Sequence, residues 1–444
     1  MCPTKTFLLS AVAGLGLLGC NPSDFNSILD KAIVQDLGIP GSSTGSLFVL
    51  PLPAPDPSTK VAARMLVSRK DSSYVALADY DMNGKATLHE ASDVETTLGY
   101  PVYSSAMRND GAMILGTPSF GGPPTPDGKV TTVVVESKPD GSSNFAVLSS
   151  LSGGGHMGIS VAAGFITGAA TGDFVAVGDN SVQVVGALPP PAINPIAATD
   201  VTCQALQLGS ATDFYAFRPV VVADLLTGAL DEIVLGGQPG GQGPGQVLFI
   251  QYDGTAVLPC PTKILTLSPI ASFGTSLAAG DFDGDGQMDL AVGAPPNHVY
   301  VYFGPLDDSV TFDVDIAGTS ATQFGKQIAT YRQPGQTTAQ LLVADPTAPS
   351  PGGVGKVMLY NITRGTVTIP GTAQLVATLF DSNKDSDPGL LGLNLGGLEF
   401  NTGICHSIGI VQPQLVPWAS LGSNLMTFFA YSGSPADPRC FSQP

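Results

Sequence analysis

Acidic side chains fall at every second position of the stretch DFDGDGQMD: Asp281, Asp283 and Asp285, followed by Asp289. Gln287 can offer its backbone carbonyl between the last two. These are hard oxygen donors on one short loop, the ligand type that Ca2+ takes. Gly284 and Gly286 let the loop curl so that alternate oxygens converge. Without a cation, four carboxylates held this close repel one another. Mg2+ suits the loop less, because it dehydrates reluctantly and demands octahedral geometry.

A second stretch, DYDMNGKATLHE, carries the residues of a possible second metal loop: Asp79, Asp81, Asn83, Lys85 and Glu90, the last at the twelfth place. The preceding SYVALAD reads as a strand, not a helix, so a plain hairpin turn competes with an ion loop here. DSNKDSD (381–387) reads as a solvated loop.

Other chemistry finds little support. GSSTG (41–45) has nucleophile-elbow spacing, but no strand precedes it and no helix follows. GGGHMG (153–158) fits a dinucleotide fingerprint by letter only, since a strand follows it. His89, His156, His298 and His406 are scattered and no CxxC occurs, which argues against a zinc site. A hydrolase or lyase acting on a polysaccharide or phosphodiester is the competing functional class. It would need convergent titratable groups that the sequence does not supply.

The elements around the first acidic loop are short. TSLAAGDF enters it, DLAVGAP leaves it, and HVYVYFG follows after a turn. All are rich in small or β-branched residues and bounded by Gly and Pro, as strands are. The run from Phe273 to Pro305, FGTSLAAGDFDGDGQMDLAVGAPPNHVYVYFGP, closely resembles an FG-GAP repeat, the blade unit of integrin α-subunit propellers and of many bacterial secreted proteins. The resemblance implies a β-meander blade, a structural Ca2+ on its first loop, and partner binding through loops on one face.

Looser copies recur at 61–91, 98–137, 156–186, 217–254, 324–361 and 391–433. The copies at 156–186 and 217–254 lack the inner carboxylates, the latter keeping Asp224 and Asp231. One unit cannot bury both faces of its sheet, so such units must stack. The expected fold is an all-β, seven-bladed β-propeller of four-stranded blades spanning 46–434, with a tail at 435–444. SLFVLPLP (46–53) is a spare strand placed to complete the last blade. Gly/Pro-rich loops at 119–128, 236–245 and 345–355 each link second to third strands and are expected to leave one face.

At the N-terminus, Lys5 precedes an apolar core too short to span a bilayer, and Leu17-Leu18-Gly19-Cys20 resembles a lipobox. Residues 1–19 are then a signal peptide, with Cys20 the acylated anchor. Asn21 favours the outer membrane, on either its periplasmic or its outer side. Residues 20–45 form a tether, in which Phe25, Ile28, Leu29, Ala32 and Ile33 share helical spacing and predict a short helix. Cys203, Cys260, Cys405 and Cys440 are an even set in an exported chain. Of three pairings, Cys203–Cys260 and Cys405–Cys440 are favoured as the nearest in sequence.

The charge balance is 18 Lys+Arg against 36 Asp+Glu, a net charge of −18, which argues against nucleic acid as a partner. With 54 Gly and 37 Pro, the composition suits many short strands and tight turns. The sequence thus points to a calcium-stabilised envelope lipoprotein that binds a protein or polysaccharide, as an adhesion or scaffold module. Cys20→Ser is expected to release the protein from the membrane fraction. Retention of the variant there, measured by fractionation, would defeat the lipidation reading.

Overall fold

A computed structural model describes residues 32–431 apart from 37–46, 53–60, 70–73, 82–85, 91–97, 119–127, 138–142, 154, 169–171, 180–181, 187–197, 201–218, 229, 238–244, 252–262, 267–271, 307–310, 319–322, 332–336, 351–352, 367–368, 380–389, 392–393, 399–405 and 413–424. Cys20, the remaining cysteines, GSSTG and DSNKDSD lie outside the described residues.

Every described element is a β-strand, and nearly all fall into short antiparallel meanders. A leading strand, β1 (Ala32–Asp36), comes first. The first sheet follows: β2 (Leu47–Leu52), β3 (Val61–Arg69), β4 (Val75–Asp81) and β5 (Ala86–Glu90). The second holds β6 (Ser104–Met107), β7 (Met113–Thr117), β8 (Lys129–Ser137) and β9 (Ser143–Ser152). The third holds β10 (Ser160–Gly164), β11 (Asp173–Val177), β12 (Val182–Val185) and β13 (Ala198–Asp200). The fourth holds β14 (Val220–Ala223), β15 (Glu232–Gly237), β16 (Gln246–Ile250) and β17 (Lys263–Thr266). The fifth holds β18 (Ser276–Gly280), β19 (Asp289–Ala294), β20 (His298–Tyr302) and β21 (Val314–Ala317). The sixth holds β22 (Ile328–Tyr331), β23 (Gln340–Ser350), β24 (Gly353–Thr363) and β25 (Thr372–Leu379), with β26 (Leu390–Leu391) beside β24. The last holds β27 (Asn394–Leu398), β28 (His406–Gln412) and β29 (Leu425–Tyr431).

The first strand of each sheet packs beside the first strand of the next, and β27 of the last sheet packs beside β2 of the first. This is the arrangement of a β-propeller. The core lies between sheets. Ile233 and Leu235 of β15 face sheet three, in a cluster with Val175 and Val177, while Val234 faces sheet five, in a cluster with Leu277 and Val292. On β11, Phe174 and Ala176 face Ile114 and Val130 of sheet two instead. Both faces of these strands are therefore buried. That is why their sequences read as unbroken apolar runs with no polar alternation.

The sheets interlock through glycines. In the turn before each of sheets three, five and six, the N–H of Gly158, Gly274 and Gly325 donates to that sheet's own second strand, at Val177, Gly293 and Ala344. The carbonyl of each turn glycine lies against a glycine of the preceding sheet. A Cβ on Gly116, Gly236 or Gly293 would overlap the carbonyl oxygen of Gly158, Gly274 or Gly325 respectively. Ser104 and Ser276 donate their hydroxyls to the Gly158 and Gly325 carbonyls at 2.8 Å.

Two sequence expectations change. The predicted helix is replaced, at Ala32–Asp36, by β1, which pairs antiparallel with β29 from Ala32↔Phe429 to Asp36↔Leu425. Helical spacing was a local signal. The β-branched Ile33 and Val34 suit the open edge that β29 offers once the chain has returned. Consequently Leu47–Leu52 does not complete the last sheet but begins the first, pairing with β3 from Leu47↔Arg69.

Gly293→Ala is expected to lower stability by about 1–3 kcal/mol, because the turn of sheet six must move away. Gly228→Ala, whose added Cβ meets only ordinary contact, is the control, expected within about 0.5 kcal/mol of the parent. Urea unfolding of the two variants checks both.

Candidate metal centre

The loop 281–288 joins β18 to β19, closed by the pair Gly280↔Asp289. Gly284 and Gly286 adopt φ of 84° and 87°, the left-handed turns that let the loop coil. The aspartates organise the coil through backbone amides. Asp281 accepts from Gly284 N (2.7 Å) at Oδ1 and from Gly286 N (3.0 Å) at Oδ2. Asp283 Oδ1 accepts from Asp285 N at 3.1 Å, and Asp285 Oδ1 from Gln287 N at 2.8 Å. The outcome is that Asp281, Asp283 and Asp285 each present an oxygen within 4.8 Å of the others. Such a group of hard donors can hold a divalent cation.

Asp289 closes the loop at the start of β19. Its Oδ2 accepts from Phe282 N (2.7 Å) and its Oδ1 from Gly304 N (2.9 Å), and it is fully buried. Burial pushes its carboxyl up to about 7, against the pull of those two N–H donors. Phe282, also fully buried, pins the loop from below. Gln287 is exposed on the rim.

The same scaffold recurs where the acids do not. The pairs Gly164↔Asp173 and Ala223↔Glu232 close loops of the same length in sheets three and four. Asp173 Oδ2 accepts from Thr167 N at 2.6 Å, and Glu232 Oε2 from Leu225 N at 2.8 Å. Ile166 and Leu225 are buried where Phe282 is. The positions of Asp281, Asp283 and Asp285 hold Phe165, Thr167 and Ala169 in sheet three, and Asp224, Leu226 and Gly228 in sheet four. In sheet four it is Glu232, not Asp231, that matches Asp289. Asp231 instead reaches sheet three, accepting from Phe165 N at 2.6 Å.

Sequence reasoning missed Arg364, which follows β24. Its Nε bonds Asp283, and its terminal nitrogen lies 2.8 Å from Asp285 Oδ2 and 3.9 Å from Asp289 Oδ1. The same group donates to Gly304 O at 2.9 Å and sits 4.8 Å above the Phe303 ring. Nothing local marked it, since its partner Asp283 is 81 residues away.

The second acidic stretch joins the third and fourth strands of its sheet, β4 and β5. Arg64 forks both oxygens of Asp79, at 2.6 and 2.7 Å, and His89 lies 3.4 Å from Oδ2. Glu90 pairs with Ala76, three positions along β4 from Asp79, which itself faces Thr87. The strands thus do not bring Asp79 and Glu90 together. Asp81 ends β4, while Asn83 and Lys85 lie outside the described residues. His156 and His298 each contact an aspartate, Asp179 and Asp315, in different sheets.

Residues 273–302 match the family model for the FG-GAP repeat. Phe273–Tyr302, which contains the acidic loop, is therefore an FG-GAP repeat, set in an all-β fold of small antiparallel sheets. No curated protein matches the chain.

Asp289→Ala leaves two backbone N–H groups without their acceptor and is expected to cost on the order of 3 kcal/mol. Asp289→Asn, whose amide oxygen still accepts one of them, is expected to cost less. Chemical denaturation of both variants distinguishes this anchoring role from one confined to ion binding.

Proposed function

We propose that the protein is a calcium-stabilised, lipid-anchored protein of the cell envelope, whose seven-bladed β-propeller binds a protein or polysaccharide partner. The observation that carries the reading is the FG-GAP loop, with the oxygens of Asp281, Asp283 and Asp285 within 4.8 Å of one another. A bound Ca2+ would offset their repulsion and hold the β18–β19 loop in one shape. The Gln287 carbonyl and Asp289 complete the ligand set that the repeat implies. Seven sheets in chain order, with β1 from the N-terminus as outer strand of the last, support the ring and its blade count.

Partner binding rests on the connections at one end of the sheets. The stretch 345–355 is mostly strand, the paired ends of β23 and β24 with Pro349↔Val354 and Ser350↔Gly353. That leaves the connections between β7 and β8 and between β15 and β16; both join second to third strands and so leave the same end of their sheets. Their Gly/Pro-rich sequences carry few charges, which suits contact with a surface more than acid–base chemistry. Cys20 is the proposed lipid anchor, with Asn21 directing the protein to the outer membrane.

Calcium at a hundredfold excess over Kd is expected to stabilise the protein by about 2.7 kcal/mol. Asp283→Ala should abolish the corresponding rise in melting temperature. The immobilised protein should capture an envelope protein or polysaccharide in calcium and lose it in chelator. An unchanged calcium response in Asp283→Ala removes the ion from the reading. Cleavage of a polysaccharide without capture replaces binding by catalysis.

A further inference from the structure

We propose that Arg364 and a divalent cation compete for Asp283 and Asp285, so that the guanidinium stands in for the ion and leaves the loop when the ion binds. The inference rests on the calcium reading above.

The oxygens divide in a telling way. Oδ1 of Asp283 and of Asp285 accepts a loop amide, from Asp285 N and Gln287 N. Oδ2 of each is the oxygen that Arg364 takes. Both oxygens of Asp281 are held by loop amides. The oxygens of Asp283 and Asp285 left free by the loop's own hydrogen bonds are thus those under the guanidinium. A cation entering the triad meets a positive charge already seated on two of its three ligands.

The arginine is both needed and removable. The Asp283 side chain is only 3% exposed, and a carboxylate so covered requires a counter-charge. Arg364 itself is 41% exposed, with a path to solvent. It also has a perch that does not depend on the triad, at the Gly304 carbonyl and the Phe303 ring.

The exchange has a structural consequence. Arg364 follows β24 of sheet six, whereas the triad belongs to sheet five. Ion binding therefore replaces a tie between neighbouring sheets with one inside a single loop. Calcium tightens the loop and loosens its link to sheet six.

Calorimetric titration with CaCl2 of the parent, Arg364→Gln and Arg364→Lys tests the competition, alongside melting in chelator. Arg364→Gln is expected to bind calcium about tenfold tighter than the parent and to melt lower in chelator. Arg364→Lys, a point charge that cannot fork two carboxylates, should fall between them. Equal or weaker binding by Arg364→Gln while the parent binds overturns the competition and leaves the calcium reading standing. No binding by either protein overturns both. If Arg364→Gln folds only in calcium, the stand-in role is supported. If it folds in neither condition, Arg364→Lys decides: tighter binding than the parent supports the proposal, and unchanged affinity overturns it.

Discussion

The structure depends on how closely one backbone can approach another between sheets. The turn glycines Gly158, Gly274 and Gly325 aim their carbonyls at Gly116, Gly236 and Gly293 of the sheets before them, where no Cβ fits. Their positive φ values, 90°, 85° and 81°, set that aim. Two conditions thus meet at each junction: a left-handed turn on one side and a bare Cα on the other. The FG and GAP ends of the repeat are the two halves of this contact, contributed by neighbouring sheets.

Close approach lets strands such as β11 and β15 bury both faces. Val234 packs toward sheet five while Ile233 and Leu235 pack toward sheet three. Among the described residues each core cluster is shared by two sheets, so stability comes from neighbours. A loop at the end of such a stack starts from a rigid base. Phe282 and Asp289 fasten the acidic loop to that base, and Ile166 with Asp173 and Leu225 with Glu232 fasten its counterparts. Sheets three, four and five share this scaffold, and the triad of carboxylates is an addition to it in sheet five.

Charge follows the same division. Within sheet five the acidic loop is over-charged, and its backbone amides offset only part of the excess. The balance comes from across a sheet junction, as Arg364 on the triad. In sheet one the pairing stays within the sheet, where Arg64 of β3 forks both oxygens of Asp79 on β4.

The acidic loop, its glycines and the strands on either side were legible in the sequence because they are contiguous: spacing along the chain sets spacing in the loop. The all-β class was legible for a similar reason, since short apolar runs between Gly and Pro have few other ways to fold. The partners of those elements were not legible. Ala32–Asp36 carries a helical spacing, yet it is a strand because β29 presents an edge to it. Leu47–Leu52 reads as a spare strand, yet it opens the first sheet because β3 lies beside it. Glu232 rather than Asp231 anchors its loop because register, not proximity in sequence, sets which side chain turns inward. Arg364 reaches Asp283 across 81 residues because two sheets are stacked. Sequence by itself determined what each short segment prefers to be. Tertiary structure decided which edges, faces and charges were left for it to meet, because those come from segments that only folding brings near.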